Sequence, residues 1–377
     1  METPFQYGKL AEEGTFVNRV EEKRMLKNNL HSRINTMLIS PRRLGKSSLI
    51  KQAMKELAIE DNSLKICFID AFTILTEEEF YKIFVQEIIK STSNQWEAWM
   101  NTAKEFLKSF SPRISIGNDP FMDFSIEFNF KLVKDNELEL LNLPEKIAKE
   151  RDIKIIVCID EFQNLARINN YVALEKKMRS VWQHQQNVTY CFYGSKRHMM
   201  MDIFNSTAKP FYRFGQIMFL SKIAENEWAD YIVKKFNETK KTISKELAHQ
   251  LAKEVELHSW YVQQLAHFVW NLTEKEVSDE ILQQAINQVI DSNLPFFKAE
   301  SEALSPTQMN FLVAVARGNT NLNSQEVLAK YNLGTPQNVN KNKKILQQKD
   351  ILDKTKDGFQ FLDPMFKKWL LNEYKYL

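Results

Sequence analysis

Ser40-Pro-Arg-Arg-Leu-Gly-Lys-Ser47 follows the apolar run Thr36-Met-Leu-Ile39 and leads into Ser48-Leu-Ile-Lys-Gln-Ala-Met-Lys-Glu-Leu57, a good helix pattern. Strand, tight loop and helix form the setting in which a loop binds phosphate, because backbone N–H groups and the positive helix end converge on anionic oxygens. In that role Lys46 reaches β- and γ-phosphates and Ser47 holds Mg²⁺, while Pro41, Arg42, Arg43, Leu44, Gly45 and Ser48 line the loop. The usual pattern, G-x-x-x-x-G-K-[ST], begins with glycine, and Ser40 departs from it. The remaining Gly-Lys-Ser is short, so the reading needs a second element elsewhere.

Asp160-Glu161 supplies one. It ends Ile153-Lys-Ile-Ile-Val-Cys-Ile159, a nearly continuous apolar run expected of a central parallel strand covered on both faces. One carboxylate there can coordinate Mg²⁺ and the next can orient or deprotonate an attacking water. Ser195 ends the next strand, where a polar residue senses the γ-phosphate or water or simply makes a turn. Arg213 precedes the last strand of this region, where a guanidinium stabilises transition-state charge or lies on the surface. Arg42 and Arg43 add positive potential to the loop or point toward a partner.

Composition agrees with a helix-rich globular chain. Of 377 residues, 44% are hydrophobic and 26% charged, with nine glycines and ten prolines, so long disordered linkers are not expected. The net charge of +3 excludes a uniformly basic nucleic-acid binder, so any basic function is local. Cys67, Cys158 and Cys191 sit in apolar runs without metal-ligand spacing and read as core residues of a reducing compartment. His184 and His198 lack ligand-spaced partners. The N-terminus has neither the basic start nor the apolar core of a signal peptide, and no run approaches the ~20 residues of a membrane span. The expected location is the cytoplasm.

Strands are expected at about 36–40, 64–69, 153–159, 188–193 and 216–220, alternating with helices at 46–58, 77–91, 94–109, 136–151 and 171–186. That alternation implies a parallel α/β sheet with right-handed crossovers. A short helix at 19–30 offers Val20, Met25, Leu26 and Leu30 as apolar positions, and 110–133 reads as an inserted β-hairpin. After Leu220 four helices follow at 225–237, 244–256, 260–273 and 279–291, with 292–304 as a connector. From Ser305 the order is helix, helix, helix, strand, turn, strand, that of a winged helix. Its third helix presents Gln337, Asn338, Asn340, Lys341 and Lys344, side chains that can meet phosphates and base edges. From Ser305 onward there are eleven Lys/Arg and six Asp/Glu, a net of +5 against +3 for the whole chain. Such a face serves DNA, a protein partner or the chain's own core.

Tyr7-Gly-Lys-Leu, Phe16-Val-Asn-Arg19, Ser40 to Ser47, Ile159-Asp-Glu-Phe-Gln163 and Asp363-Pro-Met-Phe-Lys-Lys-Trp369 occur in this order. The set resembles the archaeal-type ATPase family, AAA+-like P-loop proteins close to the STAND NTPases, and the resemblance covers nearly the whole chain. It implies that Phe16 and Arg19 belong to a box beside the nucleotide base. By the same resemblance, Ser40 is a tolerated variation, Asp160 and Glu161 are the Walker B pair, Ser195 is the sensor and Arg213 the arginine before the last strand. Trp260-Tyr-Val-Gln-Gln-Leu265 is similar to the family's lid helix.

The expected architecture is a P-loop AAA+-like parallel sheet core over 1–220, a helical lid over 221–300 and a winged helix over 301–377. The expected activity is hydrolysis of ATP with Mg²⁺, coupled to lid and winged-helix movement. A slowly hydrolysing regulatory switch and a DNA-binding regulator with a structural nucleotide are the alternatives. The partners are ATP and ADP, with DNA or a protein at the winged helix and no membrane.

Overall fold

The computed structural model describes residues 2–10, 14–17, 19–93, 95–117, 119, 124–128, 130–355 and 358–374, without side chains for 130–132. Five parallel strands form the sheet: β1 (Thr36–Ile39), β2 (Leu64–Asp70), β5 (Lys154–Asp160), β6 (Val188–Gly194) and β7 (Gln216–Phe219). Their order is β2-β5-β6-β1-β7, and every pairing is parallel. β6 is buried along its whole length and β1 likewise, whereas the edge strands β2 and β7 alternate. This is the physical meaning of the continuous apolar runs: central strands meet helices on both faces. Between β2 and β5 a small antiparallel pair, β3 (Arg113–Ser115) and β4 (Ser125–Glu127), matches the expected hairpin, though most of its connecting turn lies outside the described residues.

An aromatic stack supports the sheet. Phe162 and Phe192 lie 4.2 Å apart between ring centroids, and Trp182 and Tyr190 lie 4.3 Å apart. Phe204, Phe211 and Phe214 extend the cluster around Phe192. Aromatic pairs at these spacings add to the burial of large apolar surfaces.

Several elements depart from the expected pattern. The stretch between β6 and β7 is not irregular throughout, because Arg197–Asn205 is a helix burying Met200, Ile203 and Phe204. The helix expected at 136–151 is two, Glu137–Leu141 and Leu143–Glu150, divided at Asn142 because Pro144 can only enter a new first turn. A further short helix already starts at Phe130. In the Val20–His31 helix, Leu26, Asn29 and Leu30 are buried, while Val20 and Met25 are 60% and 48% exposed. The connector at 292–304 does not exist: Asp279–Glu302 is one helix running through Pro295. Proline costs about 3 kcal/mol in a helix interior. Here Phe297, in the same turn, is buried beside Phe366 and Trp369, and that packing offsets the loss.

The described chain divides into two compact units. One comprises Arg19–Pro41 and Lys46–Ser221, and holds the sheet and its aromatic core. The other comprises Met1–Asn18, Arg42–Gly45 and Lys222–Leu377. In this second unit Phe5 and Val17 share one core with the helices Glu225–Glu238, Lys245–Glu254 and Ser259–Leu272 and with the C-terminal elements. Those elements are the helices Pro306–Ala316, Gln325–Lys330 and Pro336–Gln348, then β8 (Leu352–Thr355) and β9 (Gly358–Phe361), which pair antiparallel. A closing helix, Pro364–Glu373, is capped by Asp363, whose carboxylate accepts from the Met365 and Phe366 N–H groups. The Tyr261 hydroxyl also donates to Asp363, at 2.6 Å.

Phe192→Ala is expected to cost about 3–5 kcal/mol of stability in urea unfolding, whereas Val20→Ala on the exposed face changes it by less than about 0.5 kcal/mol.

Candidate active site

Lys46 opens its helix directly after β1, with Gly45 at φ 90° completing the turn before it. The loop's left-handed residues are Arg43, at φ 63°, and Gly45. Ser40 is not among the positive-φ residues, is fully buried, and donates its N–H to Gly194 O at 3.4 Å. Nothing in its backbone requires glycine, which accounts for the departure seen in the sequence. Leu44 and Ser48 are buried and Pro41 is half-buried.

The loop's lysine meets the acidic pair. Lys46 Nζ lies 3.2 Å from Glu161 Oε1 and 3.7 Å from Asp160 Oδ1. Its ammonium also lies 5.7 Å from the centre of the Tyr193 ring. The Ser47 hydroxyl donates to Asp160 Oδ2 at 3.1 Å. Asp160 ends β5 and Glu161 follows with φ 48°, a left-handed conformation that costs a non-glycine residue roughly 1–2 kcal/mol. The turn is held by the Glu161 N–H donating to Asp160 Oδ1 at 2.8 Å and by the Asn164 N–H donating to Glu161 O.

Glu161 is engaged at both oxygens. Oε2 accepts from Gln163 Nε2 at 2.5 Å and from the Ser195 hydroxyl at 2.9 Å. Burial pushes both acidic groups up. For Glu161 the Lys46 charge and the Gln163, Ser195 and Lys46 hydrogen bonds outweigh it and the pKa is lowered. For Asp160 burial prevails over Lys46, with the neighbouring Glu161 adding to the rise. The two adjacent carboxyls are thus pushed in opposite directions, an arrangement common where one acid must remain an available base.

The structure therefore brings together Lys46, Ser47, Asp160, Glu161 and Ser195. Arg213 is not in this group. It is exposed, has φ 53°, and its guanidinium stacks 5.2 Å from the Tyr212 ring. Arg19 is buried, and its guanidinium donates to Glu22 at 3.1 Å and to Ser221 O at 2.9 Å. Phe16 is half-buried. Within the other unit, Arg42 pairs with Asp350 at 3.9 Å and the Arg43 guanidinium lies 4.6 Å over the Trp260 ring. Gln337, Asn338, Asn340, Lys341 and Lys344 are all exposed on the Pro336–Gln348 helix, whose buried side is Val339, Asn342 and Leu346. Gln163 had no role assigned from sequence. Its signal was its place two residues after the acidic glutamate.

Residues 295–372 match a family model described as a probable winged helix domain. No curated protein sequence matches the chain. Among solved structures, the Walker-type ATPase PABY2304 of Pyrococcus abyssi superposes with a TM-score of 0.68 at 16% identity, covering 95% of this chain and 97% of that one. The ORC2 protein of Aeropyrum pernix, solved as ADPNP–ADP complexes, superposes with a TM-score of 0.58 at 14% identity, covering 99% and 100%. The five-stranded parallel sheet with its phosphate loop after β1, together with the C-terminal match, gives this chain the AAA+-like P-loop fold of archaeal Walker-type ATPases, completed by a winged helix.

Proposed function

We propose that the protein binds ATP and hydrolyses it by direct attack of water on the γ-phosphate. The observation that carries this reading is the meeting of Lys46 and Ser47, at the end of β1, with Asp160 and Glu161, at the end of β5. Lys46 is the ligand for the β- and γ-phosphates, and the Gly45 turn offers backbone N–H groups beside it. Ser47 Oγ and the Asp160 carboxylate, in hydrogen-bond contact, are hard oxygen donors that fit a bound Mg²⁺. When bound, Mg²⁺ neutralises phosphate charge. Glu161 is the base for the attacking water, and Ser195 fixes its carboxylate. Arg213 is a candidate for contact with transferring phosphate, and Phe16 and Arg19 for the base side of the nucleotide.

The functional division follows the sequence: an ATPase core over 1–220, a lid over 221–300 and a winged helix over 301–377, with nucleotide state coupled to movement of the last two. Among the described residues no helix is long and apolar enough to cross a membrane, and a cytoplasmic location is part of the proposal. The winged helix is a DNA-contacting module, with Gln337, Asn338, Asn340, Lys341 and Lys344 on its exposed face and the net +5 of the segment from Ser305 favouring phosphate. A second reading, a slowly hydrolysing switch, is favoured by the contacts that Arg42 and Arg43 make with Asp350 and Trp260 within their own unit.

Lys46→Ala is expected to weaken nucleotide binding at least tenfold, about 1.4 kcal/mol, in a titration with labelled ATP. Glu161→Gln retains binding and lowers multiple-turnover phosphate release by roughly 10²-fold. Unchanged affinity in the first variant, or unchanged turnover in the second, contradicts the assignment. For the winged helix, Lys341→Ala and Lys344→Ala are each expected to lower the slope of log affinity against log salt by about 0.9 for duplex DNA. Absence of binding at low salt points to a protein partner instead.

A further inference from the structure

Gln163 is fully buried, yet its Oε1 has no hydrogen-bond partner. A buried unpaired acceptor costs about 1–3 kcal/mol and calls for a reason. The other end of the same amide donates to Glu161 Oε2 at 2.5 Å. The space for it is made by Gly194: a Cβ there would come within 1.9 Å of Gln163 Oε1. Gly194 has no positive φ, so its reason for being glycine is this close approach and not its backbone. Gly194 also directly precedes Ser195, whose hydroxyl donates to the same carboxylate oxygen at 2.9 Å. The Ser195 N–H donates there too, at 3.4 Å, so two residues anchored at the ends of adjacent strands β5 and β6 converge on Oε2. Oε1 has a different partner, the Lys46 ammonium at 3.2 Å.

We propose that Gln163 is the positioning residue for Glu161: it holds Oε2 in place and leaves Oε1 as the oxygen that accepts the proton of the attacking water. The inference rests on the hydrolytic reading above and deepens it. Once the Lys46 ammonium turns to phosphate, Oε1 loses its partner while Oε2 keeps its donors from Gln163 and Ser195. As the water oxygen bonds to the γ-phosphorus, the bond from that phosphorus to the bridging oxygen breaks and its electron pair leaves with ADP. The water proton passes to Glu161 Oε1. The charged and titratable groups facing this carboxylate are Lys46 from its helix and Asp160 from β5, with the Ser195 hydroxyl beyond β6 and Tyr193 behind Lys46.

Gln163→Met keeps the length and burial of the side chain, removes the donor and removes the unpaired acceptor, so the variant is expected to fold. Multiple-turnover phosphate release with Mg²⁺ and ATP provides the test. The expected result is a fall in kcat of about tenfold or more with KM held within about twofold. Gly194→Ala, which displaces the Gln163 amide without altering it, is expected to give the same fall in kcat at a held KM and serves if Gln163→Met does not fold. A folded variant with unchanged kcat overturns the proposal, as does a rise in KM with kcat unchanged. Wild-type protein that binds ATP and releases no phosphate overturns the hydrolytic reading itself, a result distinct from any behaviour of the variants.

Discussion

One ammonium group organises the centre of this protein. Lys46 Nζ sits within 4 Å of both carboxylates that end β5, although the lysine and Glu161 are 115 residues apart. A buried cation beside two half-buried anions is tolerable only if each is paired and hydrogen-bonded, and the surrounding donors meet that demand. Ser47 takes one oxygen of Asp160, the Glu161 N–H takes the other, and Gln163 and Ser195 share Oε2 of Glu161. The site is thus a small hydrogen-bonded network with one unpaired acceptor, Gln163 Oε1, and a ligand bearing phosphates would compete for its lysine.

The parallel sheet makes that network rigid. β6 lies between β1 and β5 and is buried throughout, so the ends of three strands are held at fixed spacing. The aromatic cluster built on Phe162, Trp182, Tyr190 and Phe192 packs under the same strands. Phe162 directly follows Glu161, so the left-handed turn at the glutamate is anchored from below by a residue that cannot move without breaking the stack. Strain at φ 48° persists because the surroundings over-determine it.

The other unit follows a different logic. Its core joins an N-terminal segment, the helices from Glu225 to Leu272 and the winged helix, and Asp363 is a junction within it, capping the last helix while accepting from Tyr261. The Asp363-Pro motif is thereby explained by helix-capping chemistry and one long-range hydrogen bond. Arg42 and Arg43 belong to this unit by their contacts, whereas Lys46 and Ser47 belong to the other. Leu44 and Gly45 alone thus separate two sets of commitments, one to Asp350 and Trp260 and one to the acidic pair.

The sequence alone determined the strand alternation, the phosphate loop and the acidic pair, because continuous apolar runs and a Gly-Lys-Ser turn are local signals with direct physical causes. The C-terminal order of helices and strands was legible for the same reason. Tertiary packing decided the rest. Pro295 reads locally as a break, but burial of Phe297 carries the helix through it. Val20 reads as apolar core and lies exposed, since only the packed face of its helix is covered. Gln163 and Gly194 look unremarkable 31 positions apart, and only the pairing of β5 with β6 brings the glycine against the amide. Hydrophobic period is written along the chain, whereas which donor meets which carboxylate oxygen depends on residues that approach one another only when the sheet closes.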